Sequence, residues 1–185
     1  PLNQARAVFV TGATGFLGAF LVSRILQETD CPVYCLVRPS EQKPQERLEN
    51  NLRSYSLPLS PRIRAVAGDL SKANLGLSED DYRMLFRQVD VVFHCGAAVN
   101  YVHTYSVLKP HTVDGTREVL RLCCRDHGKT LHYISTNGIF PGGETYYENG
   151  DIDPYLPHLS NGYGQSKWVA EKMVQQAALK GLPVL

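Results

Sequence analysis

Three glycines stand three residues apart near the start of the chain, directly after a short apolar run. The run is Ala7 to Val10, the glycines are Gly12, Gly15 and Gly18, and an amphipathic stretch from Phe16 to Gln27 follows. An apolar run, a glycine-rich turn and a helical pattern in this order are typical of the first strand, loop and helix of a βαβ unit. The start of the chain therefore predicts a parallel sheet with a tight first crossover.

The same alternation continues to the other end of the chain. Further apolar runs are Val33 to Val37, Ile63 to Ala67, Val89 to His94 and Leu131 to Ile134, and the segment at Pro183 is a candidate sixth. Further amphipathic stretches are Gln45 to Tyr55, Glu79 to Gln88, Gly115 to Asp126 and Gly164 to Leu179. Because parallel strands need right-handed crossovers, we expect an α/β fold, a doubly wound parallel sheet of the Rossmann type, over residues 1–185. The longest irregular stretch, Pro141 to Ser160, is expected to be a functional or mobile loop.

The composition of the chain indicates which kinds of partner and which cellular compartment to expect. The chain has 19 Lys and Arg against 18 Asp and Glu, so it lacks the basic field that gathers nucleic acid or anionic membrane. No apolar run reaches the roughly 18 to 20 residues that a membrane span needs. The five cysteines form no CxxC pair. We therefore expect reduced thiols, a cytoplasmic location, no metal site, no nucleic acid and no membrane partner.

The glycine-rich turn predicts a site for the pyrophosphate of a dinucleotide. Gly12 suits a tight turn, Gly15 lets the backbone approach the phosphates, and Gly18 allows close packing of helix on strand. The helix N-terminus adds N–H groups and partial positive charge. Glycines also serve ordinary turns, but their place between strand and helix favours the cofactor site. The expected contacts are Gly12, Thr14, Gly15, Phe16, Leu17 and Gly18.

The end of the second apolar run indicates which dinucleotide binds. NAD enzymes use a carboxylate there for the ribose 2′-hydroxyl, whereas this chain has Arg38. A guanidinium can bind a 2′-phosphate in a bidentate manner, so NADP(H) is the expected cofactor. Arg47 or Lys43 could add to this contact, or could belong to a solvated helix face.

Two later strand ends offer further cofactor contacts. Asp69, with Leu70, follows the third run, where its carboxylate could accept a hydrogen bond from the adenine amino group or could close a turn. The fourth run ends at His94, which we expect to be a packed histidine rather than a catalyst. Small residues follow it and leave room for the pyrophosphate and nicotinamide ribose, and these are Gly96, Ala97 and Ala98.

A tyrosine and a lysine lie one helical turn apart near the C-terminus. Tyr163 and Lys167 have i, i+4 spacing and therefore share a helix face. We expect the ammonium to lower the tyrosine pKa so that the phenol can exchange a proton near neutral pH. Ser135 and Thr136 follow the fifth run, at the same edge of the sheet. These residues form the candidate catalytic set.

The order of these motifs resembles the extended short-chain dehydrogenases/reductases, and the likeness extends to the thioester reductase domains of nonribosomal peptide synthetases, aminoadipate reductases and carboxylic acid reductases. It covers nearly the whole chain. The resemblance implies that Thr136 donates a hydrogen bond to the substrate carbonyl, that Tyr163 is the general acid, and that Lys167 contacts Tyr163 and the nicotinamide ribose. The motifs are TGATGFLG at 11–18, GDL at 68–70, HCGAAVNYV at 94–102, ISTNGIF at 134–140 and YGQSK at 163–167.

Two departures from that family pattern stand out. The family often has asparagine where this chain has Thr112, so no asparagine role carries over to that position. The chain begins at Pro1 without methionine and stops at Leu185 inside an apparent strand. We therefore expect a piece of a larger multidomain chain, whose C-terminal substrate-binding region is not included.

The resemblance implies an NADPH-dependent reductase that releases an acyl or peptidyl thioester as an aldehyde or alcohol. The acyl group would be carried on the phosphopantetheine arm of a carrier protein. A fatty acyl-CoA reductase is the nearest alternative, and it differs in the acyl carrier. Sugar-nucleotide epimerases are disfavoured by Arg38. From another class, the chain could be an inactive NADP-binding sensor or scaffold module of the same fold.

Overall fold

Five parallel strands form one sheet in the computed structural model, which describes residues 2–147 and 150–185. The strands are β1 Val8–Thr11, β2 Val33–Val37, β3 Ile63–Ala67, β4 Val91–His94 and β5 Thr130–Tyr133. Their order is β3-β2-β1-β4-β5. Strands β2 and β3 thus lie on one side of β1, and β4 and β5 lie on the other side. The carboxyl ends of β1 and β4 consequently border a crevice, the usual ligand site of such sheets.

Helices cover both faces of the sheet, which makes it the doubly wound sheet that the sequence predicts. On one face, Val8 and Val10 pack against α1 and α2. On the other, Phe9 packs against α3, α5 and α6. All residues of β1, β2 and β4 are therefore buried, as expected for strands covered on both faces. The helices are α1 Phe16–Glu28, α2 Pro44–Ser54, α3 Glu79–Gln88, α4 Tyr105–Lys109, α5 Gly115–Cys123 and α6 Gly162–Leu179.

The helical segment before β5 starts earlier than the sequence predicts. The expected helix was Gly115 to Asp126, but helical structure begins at Tyr105 and passes through a π-helical turn, Pro110–Asp114, into α5. Proline has no N–H group, so the regular helical hydrogen bond cannot form at position 110, and a widened turn accommodates it there. The helix also ends earlier, at Cys123.

Three other expectations can be compared with the structure. The segment at Pro183 does continue the sheet, because Val184 forms a parallel bridge with Leu131 of β5. The described residues of the stretch 141–160 are irregular except for a 3₁₀ helix, Asp153–His158. Within it, residues 148 and 149 lie outside the described residues, as does residue 1. In the described part of the chain, no helix is long and apolar enough to cross a membrane.

Candidate active site

A cleft of about 760 Å³ lies along the carboxyl edge of the sheet and joins most of the predicted cofactor residues. It crosses the ends of β1, β2, β3 and β4, so it follows the strand-order reversal at β1 and β4. Tyr163 and Lys167 are not in its wall. The predicted residues that line it are Gly12, Thr14, Gly15, Phe16, Leu17, Gly18, Arg38, Arg47, Asp69, Leu70, Gly96, Ala97 and Ala98. The cleft is also lined by residues that the sequence did not predict as cofactor contacts, and these are Leu36, Gly68, Cys95, Val99, Asn100, His103, Val107, Leu108 and His111.

The glycine loop has the geometry of an anion cradle. Gly12 has a φ of +76°, which only glycine adopts without strain, and a Cβ there would lie 2.7 Å from the Gly96 nitrogen. A Cβ at Gly18 would lie 2.7 Å from the Gly12 carbonyl carbon. Helix α1 begins directly after Gly15, with no side chain capping its first N–H groups. These groups are therefore available to a phosphate, and the loop fits the pyrophosphate of a dinucleotide.

Arg38 lies exposed at the end of β2, beside the cleft. Arg47, from α2, donates a hydrogen bond from Nη1 to the Arg38 carbonyl oxygen at 2.8 Å. Arg47 is therefore not part of a purely solvated helix face, since it also holds the backbone that carries Arg38. The two guanidinium groups give this end of the cleft its positive charge.

Asp69 closes a turn and faces the cleft at the same time. The backbone N–H and the hydroxyl of Ser71 both donate to Asp69 Oδ1 at 2.8 Å. Burial acts to raise the pKa of Asp69, but the Ser71 hydrogen bonds and the nearby His111 and Arg38 charges outweigh it and lower the pKa. The carboxylate is therefore ionised at neutral pH. Asp69 closes the turn through Oδ1 alone, so its Oδ2 atom can still accept a hydrogen bond from the adenine amino group.

His94 is buried at the centre of a chain of hydrogen bonds that joins β1, β4 and α5. Its Nδ1 lies 2.6 Å from Thr11 Oγ1, and its Nε2 lies 3.0 Å from Thr116 Oγ1. The Thr116 hydroxyl donates to the Thr112 carbonyl oxygen, and the Gly96 N–H donates to Thr11 Oγ1. Because the Thr116 hydroxyl proton is already donated to the Thr112 carbonyl oxygen, Thr116 Oγ1 can only accept from His94 Nε2. The His94 Nδ1 atom then accepts from the Thr11 hydroxyl.

This chain of hydrogen bonds requires a neutral His94. Burial, aided by the charge of Lys167, lowers the pKa of His94 to about 3, so the ring stays neutral at physiological pH. The expectation of a packed, non-catalytic histidine agrees with this geometry. The Thr112 hydroxyl, by contrast, is buried with no hydrogen-bond partner among the described residues. The position where the family often has asparagine therefore holds an unsatisfied oxygen.

The candidate catalytic residues meet at the start of α6. Thr136, just after β5, accepts a hydrogen bond from the Gly138 N–H at 3.1 Å. The Asn161 side chain caps α6 by accepting from the Gly164 N–H at 2.8 Å, which fixes Tyr163 in the first turn. Burial raises the pKa of Tyr163, and the Thr136 hydroxyl beside it offsets part of that rise.

Lys167 is buried one turn further along α6. Its Nζ donates to the Ile134 carbonyl oxygen at 2.6 Å and lies 4.2 Å from the centre of the Tyr133 ring. Burial lowers the pKa of Lys167 to about 8, although the Glu171 carboxylate opposes this effect. Ile134 directly follows β5, so the Lys167 ammonium lies at the carboxyl edge of the sheet.

One electrostatic prediction from the sequence is wrong. We expected Lys167 to lower the pKa of Tyr163, yet the Tyr163 pKa is raised. The physical reason is twofold. The phenol is buried, with 7% of its residue surface exposed, and the lysine proton is directed at the Ile134 carbonyl oxygen. The i, i+4 spacing places both residues on one helix face but does not make them a bonded pair.

A parallel sheet with a glycine loop after its first strand, and with a tyrosine and a lysine one turn apart at the start of the helix after its fifth strand, is the arrangement of an extended short-chain dehydrogenase/reductase. Over residues 10–185 the chain matches the NAD-binding family described as Male sterility protein, and it belongs to that family. Membership in this family indicates a nicotinamide cofactor.

Three similar proteins illustrate the relationship. The chain is 39% identical over 196 residues to glycine betaine reductase ATRR of Emericella nidulans, covering 99% of this chain and 15% of that protein. It is 42% identical over 189 residues to a linear gramicidin synthase polypeptide of Brevibacillus parabrevis, covering 98% of this chain and 4% of that protein. Among solved structures, the terminal R domain from the myxalamid PKS-NRPS biosynthetic pathway has a TM-score of 0.92 and 44% identity, covering 100% of this chain and 49% of that one. The chain thus spans half or less of the length of each.

Proposed function

We propose that this chain is the NADPH-binding and catalytic part of a reductase that releases an acyl or peptidyl group from a carrier-protein thioester. The observation that carries the proposal is that Tyr163, with the Thr136 hydroxyl beside it, lies one turn of α6 from Lys167, while a cleft lined by the glycine loop and Arg38 runs along the carboxyl edge of the same sheet. The similarity to a gramicidin synthase polypeptide and to a terminal R domain supports the carrier-bound substrate.

The choice of NADPH over NADH rests on charge at one end of the cleft. Arg38 and Arg47 line the cleft together where an NAD enzyme would have a carboxylate. Arginine binds phosphate in a bidentate manner, and the second guanidinium adds to the local positive potential. A 2′-phosphate is therefore the group that this end of the cleft suits.

The cofactor, when bound, supplies a hydride to the thioester carbonyl carbon. Negative charge then develops on the carbonyl oxygen, where the Thr136 hydroxyl and the Tyr163 phenol donate hydrogen bonds. The raised pKa of Tyr163 keeps the phenol protonated at neutral pH, so it can deliver a proton to that oxygen. Collapse of the resulting hemithioacetal leaves an aldehyde and a free thiol. Lys167, one turn from Tyr163, can hold the nicotinamide ribose.

The test uses the complete natural polypeptide with NADPH and one acyl group presented on two carriers. The acyl thioester is loaded on a carrier-protein phosphopantetheine arm or on CoA, and NADPH oxidation, thiol release and aldehyde formation are followed together. We expect one thiol released per acyl group consumed, with faster turnover of the carrier-bound thioester. Faster turnover of the CoA thioester would favour an acyl-CoA reductase. NADPH binding without any turnover would favour the sensor or scaffold alternative.

A further inference from the structure

The connection from β4 to α4, residues 95–104, exposes apolar side chains, one of which contacts the candidate catalytic tyrosine. Val99 is 64% exposed, Tyr101 66% and Val102 91%. On one side, this β4–α4 loop contributes Val99 and Asn100 to the cofactor cleft. The mechanism proposed above gives its apolar tip no role.

The loop is held in one conformation by polar and steric contacts. The Asn100 side-chain oxygen accepts hydrogen bonds from the N–H groups of Val102 at 2.9 Å and His103 at 2.8 Å. At its far end the loop backbone lies against α6, since a Cβ on Gly162 would lie 2.5 Å from the His103 oxygen. The same glycine precedes Tyr163 in α6. The loop is thus tied to the helix that carries the phenol.

Within this loop, Tyr101 packs directly on Tyr163. The two ring centroids are 5.2 Å apart at an interplanar angle of 68°, an edge-to-face contact. Tyr163 is almost fully buried, whereas most of the Tyr101 ring faces solvent. Tyr101 is therefore a solvent-exposed aromatic surface in direct contact with the ring of the candidate catalytic phenol.

We propose that Tyr101 is a specificity-determining residue, whose ring forms the wall against which the first carbons of an apolar acyl chain pack. This inference rests on the function proposed above. Burial of apolar area between the acyl chain and the ring stabilises the bound substrate. A charged group packed against the face of the ring would lose hydration water and gain no ion-pair partner from that face. Tyr101 thus selects apolar over charged acyl groups.

The experiment compares two acyl thioesters on the same carrier protein in the complete natural polypeptide. One acyl group is hexanoyl and the other is succinyl, which ends in a carboxylate. In Tyr101→Ala we expect the preference for hexanoyl, measured as the ratio of the two kcat/KM values, to fall about tenfold, the size expected for loss of part of a buried aromatic contact. In Tyr101→Phe the ratio stays at the parent value, and in both variants NADPH affinity is unchanged.

Two further variants separate specificity from folding. Tyr101→Lys brings a positive charge to the wall, so the succinyl thioester gains relative to hexanoyl. Leu179→Ala, at an exposed apolar position near the far end of α6, is the matched control and leaves the ratio unchanged. A parent-like ratio in both Tyr101→Ala and Tyr101→Lys, with turnover intact, overturns the role of Tyr101 alone. No turnover of any thioester by the parent protein overturns the proposed function and this inference with it.

Discussion

Replacement of Arg38 by alanine tests whether the end of β2 selects the cofactor phosphate. Arg38 is exposed beside the cleft, and the bond from Arg47 ends on its backbone carbonyl, which alanine retains. The change therefore removes one guanidinium without removing the support around it. A hydrogen bond to a charged group contributes about 1.5–3 kcal/mol, and exposure of Arg38 favours the lower end. NADPH affinity should fall roughly tenfold while NADH affinity is unchanged.

Calorimetric titration of the purified variant with each cofactor measures this difference directly. Arg64→Ala is the matched control, because Arg64 is an exposed arginine on the neighbouring strand β3 and is not in the cleft wall. The control should bind both cofactors as the parent does. Equal losses of NADPH and NADH affinity in Arg38→Ala would refute the reasoning, since they would show that Arg38 stabilises the loop and does not bind the 2′-phosphate.

Two further predictions concern the lysine and the extent of the chain. The Glu171 carboxylate opposes the fall in the Lys167 pKa, so Glu171→Gln should lower that pKa below about 8. The alkaline limb of the pH–rate profile should then move to lower pH. An unmoved limb would contradict the electrostatic role of Glu171. Residues 1–185 correspond to 49% of the solved R domain, so calorimetry on these residues alone should detect NADPH binding, whereas thioester turnover should be absent. Efficient turnover by residues 1–185 would show that no further region is needed.

The fold followed from local patterns that depend little on tertiary contacts. Apolar runs of four to six residues predicted each strand within two residues, and the glycines at 12, 15 and 18 marked the first crossover. The cleft residues followed from the strands, because the carboxyl ends of parallel strands meet at one edge of the sheet. These features are set by side-chain periodicity and by backbone freedom, which a sequence displays directly.

The remaining features depend on contacts between distant segments. Helix α4 is only five residues long, and Pro110 follows it directly, so the segment is too short to show a helical pattern of apolar residues. The β4–α4 loop lies beside the cofactor cleft because its backbone packs on Gly162, a contact across many residues of sequence. The bond from Lys167 to the Ile134 carbonyl oxygen depends on how α6 sits against β5. The i, i+4 spacing could therefore predict that Tyr163 and Lys167 share a helix face. It could not predict that the lysine donates to the Ile134 carbonyl oxygen.

The most direct test of the central claim is single-turnover NADPH oxidation by Tyr163→Phe in the complete natural polypeptide, with a carrier-bound acyl thioester. Phenylalanine keeps the ring and its edge contact with Tyr101, and it deletes the hydroxyl that donates to the developing oxyanion. General acids contribute commonly about 10²- to 10⁴-fold, so the rate should fall by that factor while NADPH affinity changes little. A Tyr163→Phe rate equal to that of the parent protein would contradict the account.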